Sequence, residues 1–399
     1  MNYFLIAVLF IFAVFMGWII TPQILLIAFR KRLFDSVGSR KVHNGVIPRL
    51  GGVVFAPIQC CLLVVSMFFI YKLGITVYAQ DPFTILFQFL LLMTGLLILS
   101  MVGIVDDLIR IDYRKKFMAQ IISASFFPLS GLWINDLYGL LGITFLSPWI
   151  GVPLTIFVTV FIINAINLID GIDGLCSGLV AIGALIFGFL FIYGGAWLHA
   201  AFAFITAGVL CPFFYYNVFG KSKGKQRIFM GDTGSTFLGF VLATVSIQGL
   251  FKFYTIISFA VPFLMLGLPL FDTCFAILRR LAKGQSPMAP DRSHVHHRLI
   301  DMGFNQKQAA ILYVISAILG LSAVVLTTSG ALKAMVLLCA LCLAGLISGK
   351  IFLSHNENHQ EKTKEKESND HAIESHDDLR DPPGGGEDGP SGKGTGEQS

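Results

Sequence analysis

The sequence has little charge for its length, and this scarcity excludes a water-soluble globular protein. Only 13% of the 399 residues are charged, whereas soluble proteins carry about 25%; hydrophobic residues make up 55%, and the mean hydropathy is +0.74. Crossing a bilayer takes roughly 17–25 apolar residues. Eleven such runs occur, at about 3–29, 50–71, 83–105, 116–134, 149–167, 175–194, 198–216, 234–251, 254–280, 309–329 and 332–353. The expected fold class is an all-α polytopic membrane protein with about eleven transmembrane helices.

Cysteine and glutamate are also scarce. The seven cysteines lie in or beside apolar runs, and the one pair with C-x-x-C spacing, Cys339 and Cys342, lies inside the last of these runs, so the sequence supports neither a disulfide framework nor a cysteine zinc site. Up to residue 353 there is no glutamate: 24 Lys and Arg residues stand against 12 acids, and every acid is Asp. This basic membrane domain suits anionic lipids and anionic substrates, although much of its charge could simply set the topology.

Basic residues are unevenly divided between the loops. None precedes the first apolar run, and Arg30, Lys31 and Arg32 follow it, which predicts a retained first helix that starts outside. The remaining spans then place 20 cations in cytoplasmic loops and only three in the opposite loops. We therefore expect domain 1–353 to have its N-terminus outside and its C-terminus in the cytoplasm. Residues 354–399 lack Phe, Tyr and Trp and are rich in Gly, Pro and charge, which predicts a disordered cytoplasmic tail.

Three acidic motifs lie at the cytoplasmic ends of the predicted helices. The third run ends in VDD, the fifth ends in NAINLIDGIDGL, and FMGDTGS opens the eighth. Their candidate residues are Asp106 and Asp107, Asn164, Asn167, Asp170 and Asp173, and Asp232. Any single acid could be a helix cap or a topological marker, but three clusters on one side indicate a ligand site. Carboxylate and amide oxygens with water are the ligands of Mg²⁺, which often adds substrate phosphates to one or two carboxylates.

Two local features refine this prediction. Asp170 and Asp173 are three residues apart and would share one face if they were helical. Gly231 and Gly234 permit close backbone approach, and amides that open a helix can meet phosphate oxygens. The sequence thus predicts a metal and phosphate site at the cytoplasmic rim.

Two basic motifs fall in loops on the same side. SRKVHNGVIPRLGG (39–52) and SPMAPDRSHVHHRL (286–299) offer guanidinium, ammonium and imidazole donors for anionic ligands, phosphate above all. Their candidate residues are Lys41, His43 and Arg49 in the first motif, and Arg292, His294, His296 and His297 in the second. Zinc is the rival ligand of H-x-H-H, although the expected Cys or Glu co-ligands are absent nearby.

An ordered set of motifs resembles that of the polyprenyl-phosphate N-acetylhexosamine-1-phosphate transferases: RKxHxxxxPRxGG, DD, NxxNxxDGxDGL, FMGDTGS and PDRxHxHH. The H-x-H-H loop is similar to the WecA/TagO-like branch rather than the MraY-like branch, and the resemblance covers about residues 1–353. It implies that undecaprenyl phosphate reacts with a UDP-N-acetylhexosamine to give UMP and a lipid-linked diphosphate sugar. It also implies Mg²⁺ as cofactor, with Mn²⁺ as a substitute, and a site on the cytoplasmic face of a bacterial inner membrane.

The resemblance further implies roles for individual residues. Asp106, Asp107 and Asp232 would be catalytic, with Asp106 as a base beside the lipid phosphate and with Asp232 and Asn167 as Mg²⁺ ligands. The substrate-binding residues would be Lys116 at a phosphate, Phe229 stacked on uracil, Asp170 and Asp173 in the nucleotide pocket, Asn164, and the seven residues of the two basic motifs. GlcNAc is the default sugar of this branch, with GalNAc and 6-deoxy-N-acetyl sugars as alternatives.

Several alternatives stay open. Direct attack is favoured over an aspartyl intermediate, because a lipid phosphate is already ionised at neutral pH. Arg110 stands where some relatives carry Asn, and Asp272 either orients a neighbour or packs helices. A secondary transporter or an intramembrane aspartyl protease could carry isolated acids, but neither explains the H-x-H-H loop. Membrane lipids are further expected partners, nucleic acid is not, and a homodimer is left open.

Overall fold

A computed structural model of the chain describes residues 2–31, 33, 47–74, 82–137, 142–143, 145–221, 226–253, 267–282 and 284. All regular structure in these ranges is helical, which confirms the all-α class. The α-helices are α1 (Asn2–Arg30), α2 (Phe55–Lys72), α3 (Pro82–Ile109), α4 (Tyr113–Leu129), α5 (Pro148–Ile169), α6 (Leu175–Tyr193), α7 (Trp197–Val218), α8 (Gly231–Phe253) and α9 (Gly267–Ala282). A 3₁₀ turn, Gly51–Val54, leads into α2.

Six of these segments are long and apolar enough to cross a membrane, so the prediction of a multi-pass membrane protein is confirmed. They are Asn2–Arg30, Gly51–Lys72, Phe83–Ile109, Pro148–Ile169, Leu175–Tyr193 and Trp197–Val218. The predicted spans 116–134 and 234–251 overlap α4 and α8, and 254–280 overlaps α9 from residue 267 onward. The last two predicted spans and the tail lie outside the described residues. The total of eleven helices and their orientation therefore stay predictions.

Helix α8 is the most enclosed element of the described chain. It packs against α3, α5, α6 and the 3₁₀ turn, and every residue from 233 to 249 is buried. Three of its hydroxyl groups, those of Ser235, Thr236 and Thr244, donate to the carbonyls four residues earlier in the helix. Because protein rather than lipid surrounds it, α8 tolerates more polar residues than α1, whose exposed side chains include Phe, Trp and Ile.

Small residues bring the neighbouring backbones close to the beginning of α8. A Cβ atom at Gly103 of α3 would lie 2.5 Å from the Thr233 Cα, and one at Gly52 would lie 2.1 Å from the Gly234 nitrogen. Glycine is required at both positions, as is common where membrane helices approach closely. These contacts carry the end of α3 and the residues before α2 to the N-terminus of α8, where the acidic motifs meet.

Candidate active site

The N-terminus of α8 is capped by a side chain from another helix. Asp107, near the end of α3, accepts hydrogen bonds from the backbone amides of Asp232 (2.8 Å) and Thr233 (2.9 Å) and from the Thr233 hydroxyl (2.6 Å). The first amides of a helix have no partner within it, and a negative charge there is favoured by the helix dipole. Both carboxylate oxygens of Asp107 are therefore engaged in holding α8.

This arrangement bears on a possibility that the sequence raises. The opening amides of α8 can meet phosphate oxygens, but those of Asp232 and Thr233 donate to Asp107 instead. These two amides are therefore engaged within the protein. Gly231 also serves internal packing, because its φ is +76° and a Cβ there would lie 2.1 Å from the Arg49 carbonyl oxygen.

Lys116 links two of the acidic motifs. Its ammonium lies 3.1 Å from Asp106 Oδ2 and pairs with Asp232 Oδ1, so one cation on α4 bridges a carboxylate on α3 and one on α8. Asp106 is held from its other side by the backbone amide of Ile111, which donates to Oδ1 at 3.0 Å. The carboxylates of Asp106 and Asp232 thus lie on either side of the Lys116 ammonium, at the end of the bundle where α3, α4 and α8 meet.

The immediate neighbours of Asp232 determine its protonation state. Burial by itself would raise the pKa of this carboxyl, but the charge and hydrogen bond of Lys116, the hydrogen bond from Asn167 and the charge of Arg49 outweigh it and hold the pKa below its usual range. Asp232 is therefore ionised at neutral pH and available as a ligand or as an electrostatic group.

Asp232 and Asn167 have the chemistry to hold a divalent cation. The Asn167 Nδ2 donates to Asp232 Oδ1 (2.7 Å) and to Ser235 Oγ (2.7 Å), which orients the amide and directs its oxygen away from these two atoms. No cluster of three or more His, Cys, Asp or Glu with metal-site geometry occurs among the described residues. A cation here would therefore complete its shell with water and substrate oxygens, which is the habit of Mg²⁺.

Asp170 does not continue helix α5. It is the C-cap residue, with φ −74° and ψ 40°, and residues 170–174 form a turn before α6 begins. The conditional prediction that Asp170 and Asp173 share a helix face therefore does not apply. Burial first, and then the charges of Asp232 and Asp107, raise the pKa of Asp170 well above its usual value, while Arg49 opposes this shift. Asp170 thus lies in the electrostatic field of the same cluster.

Asp173 and Phe229 lie beside this cluster and are joined by Arg227. The Arg227 guanidinium forms an ion pair with Asp173 Oδ2 and lies over the Phe229 ring, 5.8 Å from its centroid. The backbone of Phe229 is held on both sides, because its amide donates to Pro48 O (2.9 Å) and its carbonyl accepts from Gly51 N (2.9 Å). The predicted nucleotide residues are therefore adjacent and rigidly supported.

Asn164 occupies a deeper position between α4 and α5. Its Nδ2 donates to Gln120 Oε1 (2.7 Å) and to the Val160 carbonyl (2.8 Å). Gln120 in turn lines a small cavity next to the cluster, with about 10 Å³ open to a water-sized sphere, which is the size of one water site. The other lining residues are Leu99, Val102, Gly103, Asp106, Lys116 and Thr236.

Comparison with known proteins relates this geometry to a family. Residues 89–250, which contain the cluster from Asp106 to Asp232, match the family described as Glycosyl transferase family 4. A probable undecaprenyl-phosphate N-acetylglucosaminyl 1-phosphate transferase of Bacillus subtilis (strain 168) is 34% identical over 328 residues, which cover 81% of this chain and 86% of the relative. The chain belongs to the polyprenyl-phosphate N-acetylhexosamine-1-phosphate transferase family.

Two further relatives of this family support the assignment. An undecaprenyl-phosphate alpha-N-acetylglucosaminyl 1-phosphate transferase of Yersinia pestis is 30% identical over 301 residues, covering 73% of this chain and 76% of the relative. A decaprenyl-phosphate N-acetylglucosaminephosphotransferase of Mycolicibacterium smegmatis is 31% identical over 296 residues, covering 68% and 70%. Similarity therefore extends well beyond the short motifs.

The structure brings together most of the residues that the family resemblance predicts. One group surrounds the N-terminus of α8 by direct contact or by charge: Arg49, Asp106, Asp107, Lys116, Asn167, Asp170 and Asp232. Asp173 and Phe229 form a second group, and Asn164 lies toward Gln120. The remaining candidates, Lys41, His43, Arg292, His294, His296 and His297, lie outside the described residues, and their roles stay predictions.

The structure also describes Arg110 and Asp272. Arg110 ends α3 with a φ of +53°, in the left-handed region that Gly and Asn adopt more readily than other residues, and it is exposed. This backbone conformation is enough to explain an Asn at the position of Arg110, without any contact to substrate. Asp272 is 3% exposed within α9, and its role stays undecided between orientation and packing.

Sequence reasoning missed several residues that support the site. Thr233 and Ser235 stand inside the FMGDTGS motif, yet only its aspartate was assigned a role. Gln120, Asn217 and Arg227 lie outside the acidic motifs and have no local pattern that marks them. Gln120 contacts Asn164, and Asn217 contacts Asp173, each across 44 residues of sequence, so only the packing of the helices reveals these pairs.

Proposed function

We propose that this protein transfers N-acetylglucosamine 1-phosphate from UDP-GlcNAc to undecaprenyl phosphate, with release of UMP and formation of undecaprenyl-diphosphate GlcNAc. The observation that carries the proposal is the bridge from Asp106 through Lys116 to Asp232, with Asn167 bound to the same Asp232 oxygen. Three relatives are named for this type of transfer to an undecaprenyl or decaprenyl phosphate. The GalNAc and 6-deoxy donors are the alternatives within the same reaction.

The chemistry joins one phosphate oxygen to one phosphorus atom. An oxygen of the lipid phosphate forms a bond to the sugar-linked phosphorus of the donor, and the bond from that phosphorus to the bridging oxygen breaks, so that UMP leaves with the electron pair. Lys116 lies where the two phosphates would meet, and its ammonium would stabilise the negative charge that collects there. Asp106, held by Ile111 and Lys116, would orient the acceptor phosphate or take a proton from its protonated form.

A divalent cation is part of this proposal. Asp232 and Asn167 would hold Mg²⁺, with Mn²⁺ as a substitute, because an ionised carboxylate and an amide oxygen on neighbouring helices fit an ion that takes its other ligands from water and phosphates. When bound, the ion neutralises diphosphate charge and stabilises the departing phosphate oxygen. Ser235 fixes the Asn167 amide by accepting its second N–H.

For Asp107 we propose a positioning role in place of the catalytic role that the family resemblance implies. Its two oxygens accept three hydrogen bonds from the first turn of α8, so it is occupied as a cap. In the proposal it is a positioning residue, which places Asp232 rather than transferring a proton. Asp106 and Asp232 are the remaining catalytic carboxylates.

The proposal places the site at the cytoplasmic face of a bacterial inner membrane, in a protein of eleven transmembrane helices with its N-terminus outside. The support is the loop charge bias and the common position of the ends of α3 and α5 and the beginning of α8. A lipid acceptor and a water-soluble nucleotide donor can meet only at such a rim.

The test uses the purified full chain with undecaprenyl phosphate and UDP-GlcNAc, with Mg²⁺, with Mn²⁺ and with EDTA. Metal-dependent UMP release, matched mole for mole by lipid-linked GlcNAc phosphate, is the expected result. Release only with UDP-GalNAc or another UDP-N-acetyl sugar would keep the reaction and change the donor. Folded protein that releases no UMP from any of these donors would contradict the proposal.

A further inference from the structure

A buried amide joins three segments next to Phe229. Asn217, the second-last residue of α7, is 5% exposed; its Oδ1 accepts from the Gly174 amide at 2.6 Å, and its Nδ2 donates to the Ile228 carbonyl at 2.9 Å and to Asp173 Oδ1 at 3.4 Å. Gly174 has a φ of +75°, and a Cβ there would lie 2.5 Å from Val218 Cγ2. The 170–174 turn, the end of α7 and the 226–230 segment are therefore held together at one point.

Arg227 extends this connection to the aromatic ring. Its guanidinium pairs with Asp173 Oδ2, and the two side chains are 19% and 11% exposed, so solvent and salt screen the pair only in part. The same guanidinium lies over the Phe229 ring. A planar guanidinium can form a carboxylate pair and cover an aromatic face at once, which a lysine ammonium cannot do.

These contacts fix the backbone of Phe229 and cover one face of its ring. The backbone is held by Pro48 and Gly51, so the ring has little freedom except rotation of the side chain. The guanidinium lies over one face, so a flat ligand would stack on the opposite face. Because the charge of Arg227 is already balanced by Asp173, this arginine is a support for the ring and not a phosphate ligand.

We propose that Arg227, braced by Asp173 and Asn217, is the positioning residue that orients Phe229 for stacking with the donor's nucleobase and so determines the affinity for the uridine part of the donor. This inference rests on the proposed function, in which Phe229 stacks on uracil. It adds residues outside the acidic motifs to the donor site, and it separates donor binding from the carboxylate cluster that performs the transfer.

The experiment compares Arg227→Lys and Arg227→Gln with a matched control, Lys221→Gln, which removes a cation from an exposed side chain nearby. Loss of one stacking or hydrogen-bonded support corresponds to about a tenfold change in binding. We expect the KM for UDP-GlcNAc to rise about tenfold in both Arg227 variants, with kcat within about twofold of wild type. The KM for undecaprenyl phosphate should not change, and Lys221→Gln should match wild type.

UMP binding to the full chain in lipid nanodiscs, followed by calorimetry, gives a readout that does not need turnover. The Arg227 variants should bind UMP about tenfold more weakly, and Arg227→Lys should do so although it keeps the charge. An Arg227→Gln protein that is folded at the assay temperature and has unchanged UMP affinity and unchanged KM would overturn the inference. A rise in KM for both substrates alike, or loss of kcat alone, would also overturn it.

The two proposals fail in different ways. If wild-type protein binds UMP but transfers no sugar phosphate, the proposed function is wrong, while the UMP affinities of the variants still decide the role of Arg227. If wild-type protein does not bind UMP at all, both are wrong. A double variant, Asp173→Asn with Arg227→Gln, should be no weaker in UMP affinity than Arg227→Gln alone; additive losses would contradict the idea that Asp173 acts through the arginine.

Discussion

Two charged regions lie side by side in this protein, and they differ in charge balance. In the carboxylate cluster, the four carboxyl groups of Asp106, Asp107, Asp170 and Asp232 stand against the two cations Lys116 and Arg49, so acidic groups outnumber cations among the described residues. In the second region, which we call the clamp and which consists of Asp173, Asn217 and Arg227, Asp173 and Arg227 balance each other one to one. An excess of buried negative charge is costly unless a cation compensates it. The first region therefore favours a cationic ligand, whereas the second is balanced in charge within the protein.

The largest effect should come from Asp232→Asn, which removes charge from the cluster while keeping the side-chain shape. We expect kcat to fall about a thousandfold, the scale of losing one group that stabilises a transition state electrostatically. Asp173→Asn should instead raise the KM for UDP-GlcNAc and leave most of kcat. Steady-state UMP release for both variants checks this contrast, and equal losses of kcat would remove the distinction between the two regions.

The neighbouring aspartates of α3 should separate stability from chemistry. Asp107→Asn loses hydrogen-bond acceptors and charge at the N-terminus of α8, which should lower the free energy of unfolding by about 2 kcal/mol. Asp106→Asn breaks one ion contact of Lys116 and should change stability little, but should lower kcat strongly. Chemical or thermal unfolding in detergent, run beside the activity assay, distinguishes the two. A stable Asp107→Asn protein would show that the cap is dispensable.

Single substitutions in the two regions should change the free energy of unfolding in opposite directions, and for Asp170 the change should depend on pH. The pKa of Asp170 is raised in the folded protein, so the folded state binds more protons than the unfolded state above about pH 4, where an unfolded Asp ionises. Wild-type stability should therefore fall as the pH rises from about 4 through the raised pKa, and Asp170→Asn should remove this loss in metal-free protein. Melting temperatures measured across pH in EDTA test it.

The clamp supplies the contrasting case. Arg227→Gln leaves the Asp173 carboxylate without its balancing charge, so it should lower the free energy of unfolding by about 2 kcal/mol at neutral pH, where Asp170→Asn raises it. Added Mg²⁺ should shrink the advantage of Asp170→Asn and leave the Arg227→Gln loss unchanged. If metal moved both variants alike, the difference in charge balance would not be real.

The smallest effect is expected at Arg110, which follows the cluster in sequence but lies at an exposed left-handed position. Arg110→Gly should relieve backbone strain and raise the free energy of unfolding by about 1 kcal/mol. Activity should stay near the wild-type value, because the proposal gives this guanidinium no substrate contact. A large loss of turnover in Arg110→Gly would add the residue to the cluster.

The acidic site was predictable because its motifs are local and dense. VDD, NLIDGIDG and FMGDTGS each carry several polar residues at the end of an apolar run, and the structure brings them to one place. The clamp was not predictable, because Asn217 and Arg227 stand singly among unrelated residues. Asp107 was found, but its hydrogen bonds to the start of α8 were not foreseen, since two adjacent aspartates have the same chemistry and differ only in what they contact.

The sequence by itself determined the membrane class, the ends of the helices where polar residues gather, and the family, because apolar run length and motif order are properties of the chain. Tertiary structure decided which carboxylates meet Lys116, which one caps α8, and which face of Phe229 is covered. These depend on distances between residues far apart in the chain, set where Gly52 and Gly103 let other segments reach the start of α8. No local pattern encodes such a distance, because it results from the packing of whole helices.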